Sequence, residues 1–208
     1  MQHGLRSTDE FNRRSVLVIR LSTLSLLGAL AAAPVFAAPE AYVLDPSHSQ
    51  ILFSYNHLGY STTYGLFSGF DGKITFDAEA PANSSVEVSF PVKTMLTGWQ
   101  ERFDHFMTAD FFDATDDEMV SFKSTGIEVT GEKTAKITGD LTLNGVTKSV
   151  VLDAALTQAG EHPMAKKPWL GFTGTTVLKR TEYNLGQFAP FVGDDVTVQI
   201  SIEATKAE

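Results

Sequence analysis

The run Ile137-Thr138-Gly139-Asp140-Leu141-Thr142-Leu143-Asn144-Gly145-Val146-Thr147-Lys148-Ser149-Val150-Val151-Leu152 decides the fold. At its centre, Asn144 and Gly145 both tolerate positive φ. They read as the two loop residues of a type I′ turn, whose twist matches that of paired strands. A two-residue loop fixes the register, so facing residue numbers sum to 289: Leu143 faces Val146, Leu141 faces Lys148, Gly139 faces Val150 and Ile137 faces Leu152. All of these share one face, apolar except for Lys148 near the tip. The other face carries Thr138, Asp140, Thr142, Thr147 and Ser149. Turn chemistry and hydrophobic pattern agree on one pairing, and a slip of one residue would turn every apolar side chain to water.

The same period of two extends to both sides of the hairpin. Val86, Val88, Phe90 and Val92 share a face, as do Ile51, Phe53 and Tyr55, and as do Val196, Val198, Ile200 and Ile202. Alternation of this kind marks strands with one buried and one wetted face. About eight strands are expected, near residues 48–57, 61–76, 85–92, 119–130, 134–143, 146–157, 169–179 and 194–204. Between Phe122 and Ile127 the apolar phase changes from even to odd numbers, which predicts a bulge near Thr125-Gly126. Gly65, Gly69 and Gly72 predict strong curvature in the second strand.

One segment departs from this period. Leu96, Trp99, Phe103, Phe106 and Met107 recur at intervals of three and four, with Glu101, Arg102, Asp104 and His105 between them. This is the pattern of an amphipathic helix, expected over 97–108, with Thr97 and Gln100 in the spacing of a capping box. Phe111 and Phe112 follow at once. Long antiparallel strands in series with one short helix favour a closed all-β barrel over a sandwich. Eight strands enclose just enough room for side chains or one small ligand.

The first 37 residues stand apart from this pattern. Arg13 and Arg14 precede an apolar run from Val16 to Ala33, broken by Arg20, and the run closes on Val35-Phe36-Ala37. Charge, apolar stretch and small-residue site follow the order of a secretory signal, with cleavage expected after Ala37. Removing it takes the formal charge from −9 to −11, since Arg6, Arg13, Arg14 and Arg20 leave with only Asp9 and Glu10. Such a surface repels nucleic acid and anionic membrane. The absence of Cys excludes disulfides and a lipoprotein anchor. After residue 37 no apolar run approaches the ~20 residues that span a bilayer. The expected product is an exported, periplasmic, soluble domain over 38–208 without a stable membrane anchor.

Four ordered blocks carry a family resemblance. They are Tyr42-Val43-Leu44-Asp45-Pro46-Ser47-His48-Ser49 with His57-Leu58-Gly59-Tyr60-Ser61 and Gly65-Leu66-Phe67; Asp104-His105-Phe106 with Asp110-Phe111-Phe112-Asp113; Gly139 to Thr147; and Lys179-Arg180-Thr181-Glu182-Tyr183-Asn184-Leu185-Gly186. Together they resemble the YceI-like family. The chain departs from that family's usual pattern at Phe106, where Leu is common, and at Asp117-Glu118-Met119, where an aromatic-Pro pair is common.

The resemblance implies a lipocalin-like barrel with an interior tunnel that holds a polyisoprenoid, an isoprenoid quinone or a fatty-acyl compound, with no cofactor and no catalysis. Phe dominates the aromatics, with 15 Phe against 5 Tyr and 2 Trp, as an apolar tunnel requires. The residues expected to line it are Phe53, Tyr55, Phe76, Phe90, Trp99, Phe103, Phe106, Phe111, Phe122 and Phe172. Edge pairing or helix docking could add a homodimer. The rival readings are a filled barrel acting through its surface, a hydrolase built on His48 and Ser49 or on Asp104 and His105, and a metal site. No G-x-S-x-G elbow occurs, and adjacent strand residues point apart. His48, His57, His105 and His162 lack the close spacing of zinc sites. His48 and Ser49 instead read as a buried hydrogen-bonding device for the first strand, and Glu101 and Asp104 as a solvated helix face.

Overall fold

A computed structural model describes residues 38–114 and 118–208. The expected leader, with its cleavage after Ala37, lies outside the described residues. So does Asp117, and with it part of the departure at Asp117-Glu118-Met119. The strands are β1 (Glu40–Leu44), β2 (Gln50–His57), β3 (Ser61–Ser68), β4 (Asp71–Phe76) and β5 (Ser85–Pro91), then β6 (Met119–Val129), β7 (Thr134–Leu143), β8 (Val146–Glu161), β9 (Pro168–Lys179) and β10 (Val192–Lys206). A single α-helix among the described residues, α1 (Gln100–Phe106), lies between β5 and β6.

Ten strands make eight positions around a closed antiparallel barrel. β1 and β2 both pair with β10, β1 along Leu44 to Tyr42 and β2 along Gln50 to His57, so they are two halves of one interrupted strand. β4 pairs with β1 and β3 with β2, which makes a second interrupted strand. The ring continues β4-β5-β6-β7-β8-β9-β10 and closes through the β1–β10 pairing. The sequence pattern missed β1, whose five residues are too short for a clear alternation, and joined β3 to β4 across Gly69. At Gly69 φ is +70°, and the turn there drives the Phe70 side chain into the core.

The central hairpin has the register that its turn dictates. Leu143 pairs with Val146 and Ile137 with Leu152, and φ is +49° at Asn144 and +70° at Gly145. The predicted bulge also forms, as a register shift between Ser124 and Gly126. A second bulge, at Leu156/Gln158, lets β8 run on to Glu161.

At one end of the barrel lie the β2–β3 turn, α1, the β7–β8 turn and residues 180–191. At the other lie 77–84, 130–133 and 162–167. At the helix end, β3 has no further strand beside it. Leu66 exchanges both backbone hydrogen bonds with Leu96, at 2.9 and 2.7 Å, so the crossover carrying α1 covers an edge that would otherwise be open.

The helix is shorter than expected, and its predicted cap does not form. Trp99 is extended and occupies the N-cap position, while the Thr97 hydroxyl donates to the Trp99 carbonyl at 2.7 Å. Gln100 instead donates to Asp104 at 2.8 Å, one turn on. Gly98, at φ +74°, reverses the chain before the first turn and takes Thr97 out of capping range. The core gathers Phe67, Phe70, Ile74, Phe90, Met95, Val120 and Leu170, among others, with Phe103, Phe106, Met107 and Phe112 packed against it from the helix side.

Candidate functional site

The inner faces of the strands do not meet at the barrel axis. They enclose a cavity of about 760 Å3 whose lining reaches both ends of the barrel, from His57, Trp99 and Phe188 to Pro81, Gly131 and Thr134. That volume lies in the upper part of the usual range for ligand cavities, about 300–1,000 Å3. The wall follows from the alternation: Val196, Val198, Ile200 and Ile202 from β10, Ile137, Leu141 and Leu143 from β7, and Val150 and Leu152 from β8 all point inward. The outward faces carry Lys136–Asp153 and Lys179–Asp195 ion pairs, each at 2.7 Å. An apolar interior inside a polar exterior reverses the arrangement of barrels that sit in lipid. Among the described residues, no helix is long and apolar enough to cross a membrane.

Two glycines shape the wall. A Cβ at Gly65 would lie 2.1 Å from the Phe53 ring, and one at Gly139 would lie 2.3 Å from the Phe122 ring. Each ring therefore occupies the space that a side chain on the facing strand would need. Phe53, Phe67, Phe90 and Phe70 form a continuous series of ring contacts at 5.8, 4.9 and 5.2 Å. At the helix end, Phe106, Phe111, His105 and Phe188 form a second aromatic group.

Of the residues expected in the lining, Phe53, Tyr55, Phe76, Phe90, Trp99, Phe106, Phe111, Phe122 and Phe172 stand in the cavity wall. Phe103 does not; it packs against the core. Trp99 lies outside the helical phase, so the stripe read through 99, 103 and 106 is not one face of a helix. Phe103 and Met107 face the core, whereas Glu101, Arg102 and His105 face the cavity mouth. Glu101 is exposed there, in keeping with the solvated face expected from the sequence.

His57, Arg102, Arg180 and Tyr183 line the helix end as well, which the sequence pattern does not reveal. The Lys179–Gly186 block contained the last two, with no local pattern to show which way they point. The Arg180 guanidinium is buried and donates to the carbonyls of Gly193 at 2.8 Å, Gln187 at 2.8 Å, Val192 at 2.7 Å and Leu185. Burial lowers its pKa against the opposing influence of Asp194.

The catalytic alternatives are not assembled. Ser49 is fully buried and donates to the Glu203 carbonyl at 3.4 Å, while the His48 ring is exposed and pairs with Asp45 at 2.6 Å. The expected buried device is thus half right: the backbone turn at Asp45 sends Ser49 inward and His48 out. Asp104 accepts from Gln100, and His105 pairs with Asp110 at 3.1 Å, so the adjacent pair does not act as one unit. Asp45, His48 and Glu203 bring three ligand-type atoms within 4.8 Å of one another, a grouping that spacing alone did not reveal. Ser47 donates to Asp45 and the Trp169 indole donates to Glu203 at 2.8 Å.

Residues 42–204 match the model of the YceI-like domain. The chain belongs to the YceI-like family. It is 39% identical to a UPF0312 protein of Ectopseudomonas mendocina, over 89% of this chain and 97% of that protein. Among solved structures, it is similar to BcnA of Burkholderia cenocepacia with a TM-score of 0.70 and 24% identity, over 78% of this chain and 99% of that one. It is also similar to a polyisoprenoid binding domain from Saccharophagus degradans implicated in plant cell wall breakdown, with a TM-score of 0.63 and 13% identity, over 81% of this chain and 99% of that domain. At these identities the two structures speak for the fold alone. The YceI-like barrel is what the three share.

Proposed function

We propose that this protein is an exported carrier or store for one long apolar chain, a polyisoprenoid, an isoprenoid quinone or a fatty-acyl compound, held inside the barrel without chemistry and without a cofactor. The observation that carries this reading is the apolar cavity of about 760 Å3 extending from one rim to the other. The family adds support, since a structural relative is a polyisoprenoid binding domain. Each methylene transferred from water into such a cavity favours binding by ~0.8 kcal/mol. A long chain gathers a large gross gain, reduced by the ordering of chain and wall. The leader read at residues 1–37 would place the protein in the periplasm, where an apolar chain cannot cross water unaided.

Solvent extraction of natively purified protein, followed by mass spectrometry, should release a long-chain lipid in near-stoichiometric amount. Delipidated protein should then take up solanesol saturably, with a change in Trp99 fluorescence read in a Trp169→Phe background. If extraction yields no lipid and no isoprenoid or fatty-acyl chain binds saturably, the carrier reading fails and the barrel acts through its surface.

A further inference from the structure

The two ends of the cavity differ in charge. The end near β6–β7 carries Glu132 and Lys133, one charge of each sign. The helix end carries two arginines, Arg102 and Arg180, with Glu101, His57 and His105 around them. Every hydrogen-bond acceptor of Arg180 is a neutral backbone carbonyl, from Leu185, Gln187, Val192 and Gly193. Arg102 donates to the Thr97 carbonyl at 3.0 Å and lies 5.9 Å from the centre of the Trp99 ring. Among the described residues, neither arginine forms an ion pair with a carboxylate. Asp194, the acid that bears on Arg180, is engaged by the Thr181 amide and hydroxyl, each at 2.9 Å. His105 is held by Asp110.

Both positive charges act on one point in the wall. Burial raises the pKa of the Tyr55 phenol, while Arg102 and Arg180 each lower it. Tyr183, in the same wall, is 1% exposed and its hydroxyl has no hydrogen-bond partner. A cation taken out of water with no carboxylate paired directly to it is costly, and an anion brought to it recovers part of that cost. The chain as a whole is acidic, with formal charge −9, so a positive end inside it is a local feature and not a reflection of composition.

We propose that the helix end of the cavity is a head-group subsite for an anionic amphiphile, a prenyl phosphate or a long-chain carboxylate, in which Arg102 touches the oxyanion and Arg180 supplies a fixed charge behind it. This deepens the carrier reading and rests on it. The chain enters the apolar barrel while the acidic group stays at the mouth. There Arg102, half-buried on the cavity-facing side of α1, can turn from the Thr97 carbonyl toward it.

Delipidated protein incubated with an equimolar mixture of geranylgeranyl phosphate and geranylgeraniol, isolated by gel filtration and extracted, gives the ratio bound. Oleate against oleyl alcohol forms the carboxylate arm. Wild type should favour the anionic member of at least one pair by about tenfold or more, the order of one charge-assisted hydrogen bond. Which pair shows the preference identifies phosphate or carboxylate. Arg102→Gln should bring that ratio close to unity, through a loss of the anionic member larger than any loss of the neutral alcohol. Arg102→Lys, which keeps the charge, should retain part of the preference and serves as the folding control. Equal binding of both members by wild type, or an equal loss of both in Arg102→Gln, would overturn the subsite and leave the carrier reading standing. Retention of no member of either pair would overturn both.

Discussion

His48 stands in the interruption between β1 and β2, where its ring nitrogen meets Asp45 at 2.6 Å and Ser47 donates twice to the same carboxylate, at 3.0 and 2.6 Å. The hydrogen bond to Asp45 raises the His48 pKa, and the nearby Glu203 adds to the effect. Burial works to raise the pKa of Asp45, but its hydrogen bonds to His48 and Ser47 bring it below the usual carboxylate value. The signs are opposite for the two partners. His48 stabilises the fold fully below the unfolded value of about 6.5, and this contribution disappears as pH rises through the raised folded value. Asp45 contributes above about 3.9, and its contribution disappears as pH falls through the lowered value. The difference in unfolding midpoint between wild type and His48→Asn should therefore be larger at about pH 5 than at about pH 8. Thermal unfolding at both values checks this, and an equal difference would mean that the pair does not hold the junction. The exposure of the ring keeps the effect small.

At the scale of the element, the strands owe their shape to where side chains are missing. Gly65 pairs directly with Phe53 across the β2–β3 ladder, and the Phe53 ring occupies the space a Cβ would need. Gly65→Ala should cost ~1–3 kcal/mol, because the ring must leave its seat and project into the cavity. Adding Phe53→Leu should recover part of that loss, as a double-mutant cycle in chemical denaturation would show; strict additivity would contradict the seating argument. Gly145 tests a different mechanism. Nothing lies within 4 Å of a Cβ there, and φ is +70°. Gly145→Val should lower stability by more than ~1 kcal/mol through backbone strain alone, and an unchanged denaturation midpoint would remove that explanation.

For the whole molecule, the lumen is the property that separates a carrier from a filled barrel. Gly174 on β9 offers a way to block it. A Cβ there would meet Ile200 at 3.6 Å and Asp153 at 3.8 Å, ordinary contacts, and the position lines the cavity. Gly174→Phe should leave the unfolding free energy within ~1 kcal/mol of wild type, since the ring enters empty space. It should abolish solanesol binding while geraniol still binds at the helix end. Undiminished solanesol binding would show that the chain does not pass this level of the barrel. Closure makes such a lumen possible, because eight strand positions form a ring just wide enough to leave the axis open.

The sequence by itself determined the turn register, the bulge and the inward faces of the strands, though not the cap of α1, where Gly98 overrode the Thr97–Gln100 spacing. Asn144-Gly145 set the register of β7 against β8, the change of phase after Phe122 placed the bulge, and alternation put Phe53, Phe90 and Val198 on the inner face. These are local because a side chain's face is fixed by parity and a tight turn fixes its own ladder. Only the tertiary structure decided that β1 and β2 share one side of β10, since that pairing joins residues at opposite ends of the chain. It alone turned Phe103 to the core and Arg102 to the mouth, because Trp99 dropped out of the helical phase and the barrel chose which stripe of α1 to cover. The meeting of Tyr55, Arg102 and Arg180 belongs to the same class. Their side chains come from a strand, a helix and a loop that no periodicity connects, and ring closure sets the distances between them.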